Sequence, residues 1–183
     1  MTKIFMLSCV AALALTACDQ AGKPTAATSE NAAEAAGGET LATGLGDNAK
    51  LAAAAKAAGL DATLAGPGPY TLLAPSDAAF DKLPAGAVDT LMKPESRAEL
   101  TAVLTHHILP GTILAADIGK AIDAGGGKAL IATIGGGTLT ATREGGNVVL
   151  SDAAGTKAIV TTADQKRSNG VVHQIDSVLM PST

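Results

Sequence analysis

Aromatic residues are scarce in this 183-residue sequence, which has no tryptophan, one tyrosine and two phenylalanines. Proteins that bind nucleic acids need basic surfaces and often stack bases on aromatic rings. This chain instead carries a formal net charge of -4. The composition therefore argues against nucleic acid as a partner. The lack of tryptophan also removes a common anchor of tight protein interfaces.

Cysteine is scarce as well, because the chain has only Cys9 and Cys18. Both lie in an N-terminal segment that begins with the basic Lys3 and continues with an apolar run over residues 4–15. That run is too short to span a bilayer comfortably and is typical of a signal peptide. Residues 15–18, Leu-Thr-Ala-Cys, resemble the bacterial lipobox.

The lipobox resemblance implies a signal peptide over residues 1–17 and a lipid attached to Cys18. By the same resemblance, Asp19 favours retention in the inner membrane. We therefore expect a bacterial envelope protein that is anchored to the membrane through lipid, with its domain in the periplasm or on the cell surface. The alternative is an ordinary secretory signal that contains a cysteine. In either case the mature chain has no thiol for a disulfide or a thiolate metal site.

A low-complexity segment follows the lipobox. Residues 19–40 contain no Val, Ile, Leu, Met or aromatic residue. Such a segment cannot bury enough apolar surface to offset its ordering entropy. Residues 18–40 are therefore predicted to be a lipidated, disordered tether, and residues 41–183 a single globular domain.

The first half of this domain has helical patterns. Asp47 is predicted to cap a helix that ends at Gly59, and Ser76 or Asp77 to cap a short helix that carries Phe80. A capping box formed by Ser96 and Glu99 predicts a further helix with apolar residues on one face. A short strand is expected between the first two helices, over residues 70–74.

The second half has strand patterns separated by glycine-rich turns, which include a hairpin turn at residues 125–127. Helices followed by strands indicate an α+β fold with an antiparallel meander or sandwich. The predicted β-type runs are rich in Val, Ile and Thr and cover residues 113–114, 129–134, 138–142, 147–150, 158–162 and 171–179.

Three segments in this order resemble the characteristic boxes of fasciclin-type (FAS1) domains: residues 71–80 (TLLAPSDAAF), 104–111 (LTHHILPG) and 170–181 (GVVHQIDSVLMP). The resemblance covers residues 41–181. It implies a FAS1-like fold in which N-terminal helices pack on an antiparallel β-sandwich or wedge. It also implies a role in adhesion or matrix interaction.

Family-motif residues with a structural or interaction role are identified by this resemblance. They are Pro75, Ser76, Asp77, Phe80, His107, Pro110, Gly111, Asn169, Gly170, His173 and Asp176. The family usually has tyrosine before the central histidine, a pair associated with adhesion in animal members. Here His106 takes the place of that tyrosine, so this chain departs from the family pattern at the pair linked to receptor binding.

The environments of four box residues can be predicted. His173 and Asp176 lie on opposite faces of the last strand among apolar neighbours, so both are expected to be buried and hydrogen-bonded. His107 is expected to be partly buried and His106 more exposed. Asn169-Gly170 is a strong turn dipeptide before the last strand.

Catalytic and metal-binding patterns are weak. The adjacent His106 and His107 would point about 100° apart on a helix, and no H-x-x-x-H spacing exists. The sequence has no G-x-S-x-G elbow, and residues 125–128, Gly-Gly-Gly-Lys, lack the following Ser or Thr of a phosphate loop. We therefore expect no metal, no cofactor and no catalytic residue.

Three functions are compatible with these sequence features. The leading hypothesis is a membrane-anchored envelope lipoprotein whose fasciclin-like domain mediates adhesion by binding an envelope or extracellular protein or matrix. The first alternative is an envelope protein that binds a small apolar ligand, such as a lipid or pigment. The second alternative is an envelope enzyme.

Overall fold

The computed structural model describes residues 38–45 and 48–181. The predicted signal peptide, Cys18, Asp19, most of the tether and the predicted cap Asp47 lie outside the described residues. The elements are α1 (Ala49–Ala58), α2 (Asp61–Ala65), β1 (Tyr70–Pro75), α3 (Asp77–Asp81), α4 (Ala87–Leu91), α5 (Arg97–His106), β2 (Ile108–Pro110), α6 (Ala115–Ala124), β3 (Lys128–Ala132), β4 (Thr138–Glu144), β5 (Asn147–Ser151), β6 (Lys157–Arg167) and β7 (Gly170–Ile175). No helix of this described part is both long and apolar enough to cross a membrane.

The strands form one seven-stranded sheet in the order β2-β1-β7-β6-β5-β4-β3. The predicted α+β, fasciclin-like class is confirmed, and β3 to β7 form an antiparallel meander. The sheet is nevertheless mixed, because β1 and β7 pair in parallel from Tyr70 beside Gly170 to Pro75 beside Ile175. Alternation along a strand does not reveal the direction of a partner about 100 residues away, so this pair was not predicted.

Two cores lie on opposite faces of the central strands. Leu72 and Val172 face the first core, which is formed with α1, α3 and α5. Leu73 and Ile175 face the second, which contains the buried face of α6 and the inner faces of β3 to β6. The sheet curls around the second core, so that the Ile134 N–H, just after β3, donates to the Ile108 carbonyl in β2 at 2.8 Å.

Helix α6 was not predicted from the sequence. The expected strand at residues 113–114 is absent, and Ile118 and Ile122 form the buried face of α6. Residue 114 makes no capping hydrogen bond, and the Ala115 N–H instead donates to Asp164 Oδ1 in β6 at 2.8 Å. Residues 125–127 end this helix and lead into β3, so they are not the predicted hairpin turn. Because Asp164 lies 49 residues from Ala115 in the sequence, no local capping residue marks the start of α6.

Helix α5 lies where it was predicted, with Leu100, Val103 and Leu104 buried. Ser96 occupies the N-cap position, as predicted, but it also ends a short 3-10 turn and its side chain makes no capping hydrogen bond. The position of the helix start and its apolar face were therefore predicted correctly, whereas the capping-box hydrogen bond was not.

Candidate functional site

The first box forms the corner between β1 and α3. Ser76 caps α3, as predicted, because its Oγ accepts the Ala79 N–H at 3.3 Å. Asp77 Oδ1 accepts the Lys50 N–H of α1 at 3.1 Å. Ser76 therefore stabilises the start of α3, and Asp77 joins the start of α3 to the start of α1.

Pro75 and Phe80 border an apolar cleft between the helices. On its inner side are Pro75, Phe80, Leu104 and Val178, and its outer side is formed by residues of segment 83–92, which contains α4. Phe80 is buried in the first core, as the sequence predicted. This apolar cleft lies beside the first and central family boxes.

His107 is completely enclosed rather than partly buried, with 1% of its surface exposed. Its Nδ1–H donates to the Val103 carbonyl at 2.8 Å, and its Nε2 accepts the Leu179 N–H at 3.1 Å. The pKa of His107 is lowered to about 4, chiefly by burial and also by nearby His106, against the opposing effects of the Val103 hydrogen bond and Asp152. The neutral ring therefore joins α5 to the C-terminal segment.

His106 is buried too, with 3% exposed, so the prediction that it is the more exposed histidine was wrong. Its ring lies under the β3–β4 turn, where a Cβ on Gly137 would come within 2.5 Å of it. Its Nδ1 is 3.4 Å from Thr133 Oγ1, and its Nε2 has no hydrogen-bond partner among the described residues. Burial lowers the pKa of His106, while Asp152 acts in the opposite direction.

The central box ends at Pro110 and Gly111, beside the start of β1. Gly111 has a φ of 87°, a conformation that favours glycine. Its N–H donates to the Pro69 carbonyl at 3.0 Å, and its carbonyl accepts the Thr71 hydroxyl at 2.8 Å. Pro110 is exposed, whereas Gly111 holds the chain against β1.

Asn169 uses its whole amide for internal hydrogen bonds. Its Oδ1 accepts the Leu41 N–H at 2.8 Å, and its Nδ2 donates to the carbonyls of Leu64 and Gly66, both at 2.8 Å. We call these three contacts the Asn169 clamp. Next to it, a Cβ on Gly170 would come within 2.0 Å of the Tyr70 carbonyl oxygen, so glycine permits the close approach of β1 and β7.

His173 is fully buried and hydrogen-bonded, as predicted. Its Nε2–H donates to the Ile113 carbonyl at 2.8 Å, and its Nδ1 accepts the Asp164 N–H at 3.2 Å. Asp164 lies where the β6–β7 register shifts and has a φ of 58°. His173 therefore fastens the irregular part of β6 and the segment before α6 to β7.

Asp176 is only half-buried, with 30% of its side chain exposed, so the prediction of a buried carboxylate was wrong in degree. Its Oδ1 accepts the Ile159 N–H at 2.7 Å and the Ser177 hydroxyl at 3.2 Å, and its Oδ2 accepts from Lys82 Nζ at 2.9 Å. Partial burial raises the pKa of Asp176, but the hydrogen bonds from Lys82, Ile159 and Ser177 outweigh it and the pKa is lowered overall.

The family-motif side chains do not converge on one reaction centre. His107, Asn169, His173 and Asp176 direct their polar atoms to nearby backbone groups, in four separate places. Across residues 38–45 and 48–181, no three His, Cys, Asp or Glu side chains are grouped so that they could hold a metal ion. The arrangement stabilises loops.

An exposed surface that the sequence analysis missed lies on the outside of β3 to β6. The register places Leu130, Thr140 and Ser151 side by side on the face that also carries Ile159, and we call this the outer sheet face. Leu130 is 74% exposed and Ile159 is 39% exposed. In β3 the run Ala-Leu-Ile-Ala is apolar on both faces, so alternation did not distinguish the outward leucine.

Comparison with known proteins identifies the family. The fasciclin domain model matches residues 46–181, which include all three boxes. The chain belongs to the fasciclin family. The fasciclin domain therefore accounts for the whole of the described fold beyond the N-terminal residues 38–45.

Several relatives share this fasciclin domain. Protein sll1483 of Synechocystis sp. is 40% identical over 147 residues, which are 80% of this chain and 71% of that protein. Transforming growth factor-beta-induced protein ig-h3 of Sus scrofa is 37% identical over 134 residues, 73% of this chain but 18% of the relative. Immunogenic protein MPB70 of Mycobacterium bovis is 35% identical over 114 residues, 62% of this chain and 51% of the relative.

A solved structure shows the same fold. The FAS1 domain pair of the insect cell adhesion molecule Fasciclin I matches with a TM-score of 0.51, over 61% of this chain and 36% of that chain. The identity is 23%, so this likeness concerns the fold alone.

Proposed function

We propose that this protein is a lipid-anchored protein of the bacterial envelope whose fasciclin domain binds a protein or matrix partner in adhesion, without catalysis. The observation that carries the proposal is membership of the fasciclin family together with an outer sheet face on which Leu130 is 74% exposed. Leu130 and Ile159 lie on either side of Thr140 and Ser151 on this face, so two exposed apolar side chains are available to contact a partner.

The internal hydrogen bonding of the family-motif residues supports a non-catalytic role. A general base or nucleophile needs a polar atom that can reach a substrate. Both ring nitrogens of His107 and of His173 are engaged with protein atoms, and the Asn169 amide is occupied on both of its ends. His106 lies under a turn and offers no accessible atom.

Adhesion can be tested on the outer sheet face. Cells displaying the full chain with Leu130→Lys or Ile159→Lys are expected to attach to partner cells or matrix at least fivefold less than wild type. Ala153→Lys, in the exposed turn between β5 and β6, adds the same charge away from this face and serves as the matched control. Wild-type cells must first attach well above a deletion strain. If both face variants then attach as well as wild type, the outer sheet face is not the adhesion site.

The anchor is tested separately at Cys18. The lipobox-like sequence supports lipidation there, and more than one acyl chain gives stable membrane binding. In the bacterial host, Cys18→Ser is expected to abolish incorporation of labelled palmitate and to move the protein from the membrane fraction to the soluble fraction. Wild-type protein that incorporates no palmitate would refute the anchor but leave the adhesion proposal standing.

Inner-membrane retention is a further part of the proposal, and it is supported by Asp19. Density-gradient fractionation of envelopes should place the wild-type chain in the inner membrane and an Asp19→Ser chain in the outer membrane. Equal distribution of the two chains would show that Asp19 does not direct sorting.

A further inference from the structure

The dipeptide Asn169-Gly170 has a chemistry of its own. When glycine follows asparagine, no side chain shields the glycine nitrogen, which can attack the carbonyl carbon of the asparagine amide. The sequence has four asparagines, and the other three are followed by Ala or Val. Asn169 and Gly170 are both only half-buried, so solvent is close to the pair. Asn169 is therefore the asparagine of this chain most prone to lose its amide.

The reaction needs only water. The Gly170 nitrogen loses its proton to solvent and forms a bond to Cγ of Asn169, and the Cγ–Nδ2 bond breaks. Nδ2 leaves as ammonia with a proton taken from solvent, and a five-membered succinimide ring remains. Water then adds to one of the two ring carbonyls and opens the ring to aspartate or isoaspartate. One water is consumed and one ammonia released, with no change of oxidation state.

The Asn169 clamp opposes this attack in the folded chain. Ring closure draws Cγ to the Gly170 nitrogen, whereas three hydrogen bonds of 2.8 Å hold the amide on the Leu41 N–H and on the carbonyls of Leu64 and Gly66. Nδ2 donates to two carbonyls, and neither can give it the proton with which it must leave. The clamp must therefore open before the amide reacts.

The backbone of the pair is held as well. Gly170 pairs with Tyr70 in β1 and with Arg167 in β6. The Tyr70 N–H donates to the Asn169 carbonyl at 3.2 Å, and a Cβ on Gly170 would come within 2.0 Å of the Tyr70 carbonyl oxygen. The peptide group between Asn169 and Gly170 is therefore fixed between two strands and cannot turn toward the side chain while β1 and β7 stay paired.

The partners of the clamp belong to the parts of the fold that open most easily. Leu41 lies in the N-terminal segment before α1, and Leu64 and Gly66 lie at the end of the five-residue helix α2. Chain ends and short peripheral elements open at a lower free energy than strands inside a sheet. The amide is therefore released by local opening of this end of the fold.

We propose that Asn169-Gly170 is a deamidation site that the clamp protects and that records each opening of the clamp. The product cannot rebuild the clamp, because a carboxylate has no N–H to donate to Leu64 and Gly66. Isoaspartate also adds one carbon to the main chain between β6 and β7. The change is irreversible, so chains that have opened accumulate as a less stable form. This chemistry is independent of the outer sheet face and of adhesion.

Peptide mapping by mass spectrometry, with enzymatic methylation of isoaspartate, measures the conversion in the purified full chain. Conversion of Asn169 should be at least a hundredfold faster in urea than in the folded chain, because urea releases the clamp. Asn147, which is followed by Val148, is the internal control and should stay unchanged in both samples. Equal rates at Asn169 in folded and unfolded chains would overturn protection by the clamp.

Two leucine variants distinguish local opening from global unfolding. Leu41 and Leu139 are both fully buried, Leu41 beside the clamp and Leu139 in the second core. In folded protein, Leu41→Ala should raise the rate at Asn169 at least tenfold above that in Leu139→Ala. Ser168→Ala, which removes the hydroxyl bond to the Glu39 carbonyl, is a milder change and should also raise the rate. Equal rates in both leucine variants, with Ser168→Ala as slow as wild type, would overturn local opening.

Refolding tests the consequence of the reaction. Wild type held in urea until most of Asn169 has converted should, once refolded, melt at a lower temperature than wild type unfolded only briefly. Asn169→Gln is the control, because its imide ring would have six members and forms much more slowly. It should regain its own starting melting temperature after either exposure. Converted wild type that regains its starting melting temperature would refute the loss of the clamp.

Discussion

At the scale of single residues, the family boxes are occupied by side chains that satisfy buried backbone groups. The two ring nitrogens of His107 meet the Val103 carbonyl and the Leu179 N–H, and Asn169 meets three groups from two distant segments. An unpaired buried polar group costs about 1–3 kcal/mol. These residues are therefore costly to replace.

His107 makes the stability of the domain sensitive to acid. Its pKa is about 4 in the folded chain against the ordinary histidine value of 6.5, so between these values the unfolded chain binds the proton and the folded chain does not. Stability is full above pH 6.5 and falls by about 3 kcal/mol as the pH drops to 4. The lowered pKa of His106 adds to this loss.

Urea unfolding of wild type and His107→Gln between pH 7.5 and 4 measures this effect. The difference in unfolding free energy between the two proteins should shrink as the pH falls, because glutamine does not titrate. The carboxylates titrate in both proteins and cancel in this difference. A difference that stays constant over this range would contradict the assignment to His107.

Asn169 gives a second prediction at this scale. Asn169→Ala leaves the Leu41 N–H and the carbonyls of Leu64 and Gly66 without their partners and should cost about 3 kcal/mol. Asn169→Asp keeps the acceptor for Leu41 but turns an anionic oxygen toward two carbonyls, so it should be no better than alanine. Thermal unfolding checks both variants, and a stable aspartate variant would show that the two donated bonds contribute little.

At the scale of elements, the starts of α1, α3 and α6 are each fixed by a different side chain. Ser76 caps α3 locally, Asp77 reaches the N-terminal turn of α1, and Asp164 reaches that of α6. Ser76→Ala should therefore cost about 1 kcal/mol, and Ser76→Asp should restore most of it. Chemical denaturation measures both, and equal stabilities for the alanine and aspartate variants would contradict a capping role.

The parallel pairing of β1 and β7 depends on Gly170. A Cβ there would lie 2.0 Å from the Tyr70 carbonyl oxygen, which belongs to the backbone and cannot rotate away. Gly170→Ala should therefore force the strands apart and cost about 3 kcal/mol. Gly38→Ala, where a Cβ would meet nothing within 4 Å, is the matched control. Comparable melting temperatures for the two variants would show that β1 and β7 separate easily.

Elements were predictable from sequence where their signals are local. Ser76 at the start of α3, the apolar face of α5 and the turn at Asn169-Gly170 were all visible in short segments. Helix α6 was missed although Leu114, Ile118 and Ile122 recur four residues apart, because its N-terminal partner, Asp164, is remote and gives no local sign of where the helix begins. The burial of His106 was missed for the same reason, since residues 133–137 cover it from another part of the sheet.

At the scale of the whole molecule, the central strands join the two cores into one cooperative unit. Leu72 and Leu73 are neighbours in β1 yet face different cores, so neither core can lose its packing without disturbing the same strand. Leu104→Ala in the first core and Leu150→Ala in the second should each cost about 2–5 kcal/mol. Calorimetry should still show a single transition in each variant, and two separate transitions would contradict this coupling.

The Asn169 clamp also determines how the domain responds to tension. For a domain tethered at its N-terminal end, a pulling force enters the fold at residues 39–41. There the Ser168 N–H and hydroxyl hold the Glu39 carbonyl at 2.9 and 3.0 Å, and Asn169 holds the Leu41 N–H. The load therefore passes into the β6–β7 hairpin, inside the sheet, and not into an edge strand such as β2 or β3. A fasciclin domain built in this way resists being peeled open strand by strand when it is pulled from its N-terminal end.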